Sequence, residues 1–429
     1  MEPSPIPLEL ALSGRDLTEP LPSPDGTAVA FVQRMGRAAS VMVIDGLDSA
    51  CPAPERPIAL GPDPAPGRGL GGGCLAWLPD GAGIVHAAVD GELWRTAGAS
   101  VDRLTDHGRS SRAPDVGVLA GEPVVAYVVD EAEVWLTSLH TGASLRVDAG
   151  QHEFCADPTI APDGATVSWQ AWSPPDMPWD GAERIDATIG AGLAVRGQVA
   201  WRPDGGAVQQ PRFTIGGVAT CVHDGSGWLR LQIGPREIDV GEAEVAGPSW
   251  GPRQRSYATT GDTTTSDTTA IVAANRRGFG SLMAIGSDGA IVEIAGRDHV
   301  YGQLSVTADR LVALRSGPSS PTEIVSFERR GDRFEPATVL ARSGVAAWDD
   351  VAVPLPEVVT ADRDGITLHA RRYVAGRGRM LCWIHGGPTD QWQVDFRPRI
   401  AYWWSRGWDV LVVDPRGTTG HGRGSVSYT

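Results

Sequence analysis

The sequence predicts a mainly β molecule: a seven-bladed β-propeller over residues 1–350, then the opening strands of a parallel α/β sheet over residues 351–429. Three observations predict it. A Pro-Asp-Gly turn recurs along the first part of the chain, usually ahead of an apolar run. The 54 Gly and 33 Pro follow no G-X-Y period, which excludes collagen and favours short elements joined by tight turns. Near residue 350 the pattern changes to strand, Gly-rich loop, helix and strand.

The turns stand at Pro24-Asp25-Gly26, Pro79-Asp80-Gly81, Pro162-Asp163-Gly164 and Pro203-Asp204-Gly205. Proline presets φ and glycine supplies a positive φ, so each copy reads as a hairpin corner between strands. Their separations are about 55, 83 and 41 residues. A period of roughly 40–45 residues with several short strands per unit marks propeller blades, and about seven fit this length. Residues 123–129 with 133–136, and 311–314 with 323–325, read as further strand pairs, and no long stretch here has helical periodicity. A β-sandwich or two small β-domains is the competing all-β reading.

Beyond residue 350, residues 358–360, the turn Asp362-Arg363-Asp364-Gly365 and residues 366–373 read as a hairpin. The apolar run 380–384 ends in His385-Gly386-Gly387-Pro388. Residues 394–406 have helical length and stop at Gly407, and a second apolar run, 410–413, ends at Asp414-Pro415-Arg416-Gly417.

Composition excludes several function classes. A net charge of −15 argues against a nucleic-acid partner, which wants a basic patch. All 37 basic residues are Arg, a mark of genome composition rather than of function. No run reaches the roughly 18 apolar residues of a membrane span, and the first residues show no basic-then-apolar leader. Cys51, Cys74, Cys155, Cys221 and Cys382 show no C-x-x-C spacing, so neither a disulfide framework nor a zinc site is expected. Buried free thiols and a cytoplasmic location are the expectation.

The sharpest local motif is His385-Gly386-Gly387-Pro388. Two glycines at a strand end let the backbone approach a substrate and turn amides toward it. One amide aimed at a developing oxyanion is worth about 10²–10³ in rate. His385 is read as fixing the loop rather than as a base. Other candidates read as structural. The run Thr263-Thr264-Thr265-Ser266-Asp267-Thr268-Thr269 is a strand or loop rim, and Gly71-Gly72-Gly73 lacks the helix and Lys of a phosphate loop. Asp176 and Asp180 read as loop braces rather than metal ligands.

Taken together, Trp383-Ile384-His385-Gly386-Gly387-Pro388, Ser405-Arg406-Gly407-Trp408 and the stretch from Asp414-Pro415-Arg416-Gly417 to Gly420-His421-Gly422-Arg423 resemble the start of the catalytic domain of prolyl oligopeptidase-family serine peptidases. The similarity is to the acylaminoacyl-peptidase and dipeptidyl-aminopeptidase branch. Two propeller stretches resemble the same group: Trp172-Ser173-Pro174-Pro175-Asp176-Met177-Pro178-Trp179-Asp180-Gly181 and Glu242-Ala243-Glu244-Val245-Ala246-Gly247-Pro248-Ser249-Trp250.

The resemblance implies a propeller capping an α/β-hydrolase domain, a Ser-Asp-His triad cutting short peptides, and no metal or organic cofactor. It gives Gly387 an oxyanion-hole amide, Gly386 the shaping of that loop, His385 and Pro388 its bracing, and Arg416 and Gly417 structural support nearby. The pattern breaks at the nucleophile. No G-x-S-x-G elbow occurs within residues 351–429, and neither Gly422-Arg423-Gly424-Ser425-Val426 nor Gly278-Phe279-Gly280-Ser281-Leu282 fits one. Ser425, His421 and Asp414 do not substitute, because one loop cannot place all three roles. The expectation is therefore the truncated start of a hydrolase domain, inactive alone, with the remainder in sequence beyond these residues or in a separate chain. The run 380–384 is then expected to leave an apolar strand edge facing water. The alternative is a non-catalytic propeller that binds peptides or other proteins.

Overall fold

The computed structural model describes residues 4–49, 51–58, 61–67, 71–260, 268–307, 309–331, 333–363, 365–387 and 389–426. Residues 263–267 of the threonine-rich run, Asp364 and Pro388 lie outside them.

Seven antiparallel sheets follow one another along the chain, opening at Asp16, Leu75, Ser111, Phe154, Val208, Tyr257 and Val300. Each joins its strands in chain order, the meander of a propeller blade. In the seventh, Thr338–Arg342 pairs with Ser320–Arg330 after a small hairpin at Arg333–Phe334. Apolar side chains fill the gaps between neighbouring sheets. Leu17, Val29 and Phe31 of blade one pack with Val312, Ile324 and Ala341 of blade seven, which closes the ring.

The first three Pro-Asp-Gly turns join strands one and two of blades one, two and four, with Gly26, Gly81 and Gly164 at positive φ. The fourth copy departs from the expected hairpin. Pro203-Asp204-Gly205 links Val195–Trp201, the last strand of blade four, to Val208–Phe213, the first of blade five. Blade five turns its own first corner at Gly216-Gly217, with Gly217 at φ +79°.

A meander alternates ends, so the turns between strands one and two gather on one face of the ring. Two-to-three loops and blade-to-blade connections gather on the other. The C-terminal unit sits on that second face, bonded to Asp224, Gly227, Gly278 and Ser319 in the two-to-three loops of blades five to seven.

That unit is a sheet in the order Glu357–Arg363, Ile366–Tyr373, Trp408–Asp414, Arg379–Ile384. The first two strands form the expected hairpin, and the last two are parallel. The helix is shorter than expected, Pro398–Trp404 rather than residues 394–406, because Pro398 opens it from an extended loop. Gly407, at φ +80°, follows its end. Tyr373, Ile400, Val410 and Val412 form the core, and Ile6 and Leu10 from the start of the chain join it. The Ile6 amide donates to Ser405 Oγ at 3.0 Å.

Among the described residues Arg379–Ile384 pairs on one side alone, as the sheet edge. Met380, Cys382 and Ile384 are exposed on one face of it, while Leu381 and Trp383 are half-buried. Cys74, Cys155 and Cys221 are buried free thiols, but Cys51 and Cys382 are exposed, against expectation.

Candidate active-site loop at the propeller interface

His385 follows the edge strand and is buried, while Gly386 and Gly387 after it are exposed. His385 Nδ1 lies 2.8 Å from the Gly386 carbonyl. A carbonyl can only accept, so that nitrogen carries a proton. Nε2 meets Thr418 Oγ1 at 2.8 Å, and that hydroxyl lies 2.6 Å from the Pro415 carbonyl. His385 thus ties the Gly-Gly loop to the loop after Asp414. Gly387 takes φ +134°, where a Cβ would stand 2.8 Å from the Thr389 nitrogen. Among the described residues none accepts a hydrogen bond from the Gly387 amide.

The loop after Asp414 is held by the propeller. Glu244, buried, accepts the Gly420 amide at 2.7 Å and the Gly422 amide at 3.1 Å. Burial pushes its pKa up to about 7, with Asp224 adding to the rise and the two amides and Arg230 opposing it. Arg423 makes a two-pronged salt bridge to Asp224, 3.0 Å to each oxygen. Gly417, at φ +92°, donates its amide to the Ser425 carbonyl.

Asp414 ends the second parallel strand inside a dense polar network. Arg371 donates to it through two nitrogens at 2.7 and 2.5 Å, and both side chains are almost fully buried. Gln391 Nε2 donates to it at 3.0 Å, and His421 Nε2 stands 2.7 Å away. Burial works against ionisation here, but the bonds from His421 and Arg371 prevail and hold the carboxyl at about 2. Asn275 of blade six donates to Gln391 at 2.7 Å, extending the network into the propeller.

The pairing of Asp414 with His421 was not foreseen in the sequence, but it does not build a triad. His421 stacks flat on His369 with ring centroids 4.3 Å apart, and Asp414 is committed to Arg371 and Gln391. No described hydrogen bond joins Ser425 to His421; the Ser425 amide donates to the Gly422 carbonyl. Ser281 lies in the blade-six strand Phe279–Gly286, remote in sequence from this loop.

Two propeller segments complete the surroundings. Residues 173–182 leave blade four between its second and third strands and carry the short helix Pro178–Gly181. Residues 247–256 lead from blade five to blade six. Between them lies a cavity of about 340 Å³ walled by Phe154, Trp172, Trp179 and Trp250. The Trp250 indole N–H donates to the Thr389 carbonyl at 2.8 Å, which joins this wall to the Gly387 loop. Asp176 packs over Gly181, a bracing position, and among the described residues no group of three or more His, Cys, Asp or Glu could hold a metal ion.

The centre of the ring is crossed by Pro252–Arg255. The Pro252 carbonyl accepts the Gly72 amide ahead of blade two. Arg253 reaches Pro114 and Asp115 of blade three and Pro158 of blade four. Arg212 of blade five donates to the Gln254 carbonyl, Arg255 donates to Pro20 of blade one, and Leu304 of blade seven donates to Arg255. Bonds to five other blades, and to Gly72 ahead of blade two, place this segment on the axis, closing the channel. The inner strands carry left-handed residues, Glu19, Ala113, Asp157, Gln210 and Gln303, with φ from +51° to +56°.

No family model and no curated protein matches the chain by sequence. Solved structures do match. A puromycin-hydrolysing peptidase of Mycobacterium tuberculosis aligns at TM-score 0.83 and 22% identity, covering 100% of this chain and 70% of that one. A puromycin hydrolase aligns at TM-score 0.74 and 22% identity, covering 97% and 69%. A prolyl endopeptidase aligns at TM-score 0.65 and 13% identity, covering 98% and 64%. The chain shares the fold of these propeller-containing peptidases, in agreement with the resemblance read from its motifs.

Proposed function

We propose that the chain is the propeller and oxyanion-binding portion of a serine-type peptidase acting on short peptides, of the acylaminoacyl- or dipeptidyl-peptidase kind. The observation that carries this reading is the Gly387 amide: on an exposed residue, unclaimed by any described acceptor, and held at positive φ two residues before Thr389, whose carbonyl accepts from the propeller's Trp250. An unclaimed N–H on a braced loop is what a tetrahedral oxyanion needs, because the donor is in place before charge develops. His385 and Gly386 shape that loop. The fold shared with peptidases supports the same reading.

In this reading a serine attacks the peptide carbonyl, the Gly387 amide and a second amide hold the oxyanion, and water then releases the acyl group. The serine, its histidine and its acid are not assigned among these 429 residues: no G-x-S-x-G occurs in residues 351–429, and the match Gly247-Pro248-Ser249-Trp250-Gly251 lies in the connection between blades five and six rather than on a strand-to-helix turn. They come from further sequence or from a separate chain, and these residues alone are inactive. Free cysteines fit a reducing compartment, the cytoplasm. Among the described residues no helix is long and apolar enough to cross a membrane.

The absent elbow favours one second reading, a propeller that binds peptides without cleaving them. Labelling with a serine-directed fluorophosphonate separates the two. The 429-residue chain is expected to take no label, and a polypeptide that adds a G-x-S-x-G segment in frame is expected to be labelled and to hydrolyse aminoacyl-coumarin substrates. Labelling of the short chain overturns the assignment of the nucleophile. Peptide binding without hydrolysis in the longer one favours the second reading.

A further inference from the structure

We propose that the cavity between Phe154, Trp172, Met177, Trp179 and Trp250 is a pocket for an aromatic side chain of the bound peptide, an inference that rests on the peptide-binding role above. Its walls are built rather than incidental. Phe154 and Trp172 are directly opposed cross-strand partners in blade four, stacked with centroids 5.3 Å apart and planes at 15°. Trp179 and Trp250 come from two separate excursions and meet at 4.4 Å and 53°. Two pairs of rings on different elements enclose about 340 Å³, near the lower end of the roughly 300–1,000 Å³ of small-molecule sites.

The lining selects among side chains. A ring entering among four rings gains offset and edge contacts beyond the burial of its area. An anionic side chain gains no partner. Arg112 at the wall is committed to Ser110 Oγ and the Ala65 carbonyl, and Gln170 faces Ser249. A carboxylate would be desolvated there without compensation and would meet Glu131 and Asp176, which also line the cavity. Cys155, which also lines the cavity, has its thiol pushed up to about 12 by burial, as an apolar wall requires.

Position ties the cavity to the reacting bond. One of its walls, Trp250, bonds to Thr389, two residues beyond Gly387, in the C-terminal unit. Gly251 and Pro252 form another wall, and the segment they open closes the axial channel. An aromatic group there is stopped by the protein rather than passing through the ring.

The test is an NMR titration of the 429-residue chain with N-acetyl-phenylalanine amide, N-acetyl-alanine amide and N-acetyl-glutamate amide. The phenylalanine probe is expected to bind at least tenfold more tightly than the other two. Ala156→Phe, which fills the cavity from blade four, and Trp179→Ala, which removes a wall from another element, are each expected to weaken it about tenfold while leaving the circular dichroism unchanged. Equal binding of the phenylalanine and alanine probes overturns the aromatic pocket and leaves the peptide-binding role standing. Phenylalanine binding that survives both variants locates the site elsewhere and also overturns it. Binding of no probe overturns the pocket, and the peptidase reading is then judged by fluorophosphonate labelling of the longer polypeptide.

Discussion

The Trp250 indole N–H and the Thr389 carbonyl, 2.8 Å apart, join a propeller side chain to the loop that carries Gly387. A net contribution of about 1 kcal/mol is expected from such a bond. Trp250→Phe keeps a ring at that wall and removes the donor. Backbone hydrogen exchange over residues 385–391 is expected to accelerate about fivefold in this variant, with blade-six amides unchanged. Unaltered exchange in the loop means the propeller does not hold it.

Glu244 makes the same interface sensitive to pH. Its folded pKa, about 7, lies above the ordinary 4.5 of a glutamate because burial disfavours the charge. In the folded protein the group keeps its proton through a range in which the unfolded chain has lost it. Its protonated form therefore supports folding fully below about pH 4.5, and that support fades as pH rises toward 7, by on the order of 3 kcal/mol. Glu244→Gln removes the titration. Urea unfolding at pH 5 and pH 8 is expected to show the wild type losing stability relative to the variant at the higher pH. Parallel behaviour of the two proteins would contradict the assignment.

These two residues show where sequence reading stops. Both lie in the stretch 242–250, which carried a resemblance but no local chemistry, because a lone Glu or Trp in a loop has no pattern until a second segment arrives. Repeating turns were legible, since Pro and Gly impose φ locally, and they marked blades one, two and four. They also mark the face opposite the C-terminal unit, so the motif that revealed the propeller says little about the site. The left-handed Glu19, Ala113, Asp157, Gln210 and Gln303 escaped notice because none is glycine, and tertiary bonds set their conformation. The Gly-Gly loop was legible for the converse reason: two glycines after an apolar run state a backbone requirement in the residues themselves.

Arg371 and Asp414 lie almost fully buried beneath the interface. Arg371 also donates to the Arg277 and Trp392 carbonyls, so its loss orphans more than one acceptor. Arg371→Met is expected to cost about 3–5 kcal/mol, because it leaves a buried carboxylate with His421 and Gln391 alone. In the double variant Arg371→Met/Asp414→Leu that cost should largely disappear, as both charges are gone. Urea unfolding followed by the near-ultraviolet signal of the C-terminal tryptophans reports the difference. Equal losses in the single and double variants would show that the pair acts through its backbone contacts rather than through its charges.

Gly387 tolerates no side chain in its present turn. At φ +134°, with a Cβ only 2.8 Å from the Thr389 nitrogen, alanine must shift the loop. The strain is worth about 1–3 kcal/mol. Gly387→Ala is expected to lower the melting temperature modestly. In a polypeptide supplied with the nucleophile elbow it is expected to lower kcat about 10²-fold or more with little change in KM, since the oxyanion donor acts in the transition state. A rise in KM alone would place Gly387 in substrate binding instead.

The edge strand Arg379–Ile384 offers a different kind of contact. Met380 is 47% and Ile384 61% exposed, and the strand has an unpaired side among the described residues. A row of free amides and carbonyls beside apolar side chains is a template for pairing with another copy. The 429-residue chain is therefore expected to self-associate as its concentration rises. Met380→Lys/Ile384→Lys places like charges on the same face, where two copies would meet, so repulsion opposes pairing at little cost to the folded monomer. Light scattering across a concentration series should show the wild type growing and the double variant staying monomeric. Growth that is the same in both proteins would move the sticky surface elsewhere, with exposed Val358 and Val359 on the opposite edge strand as the next place to substitute.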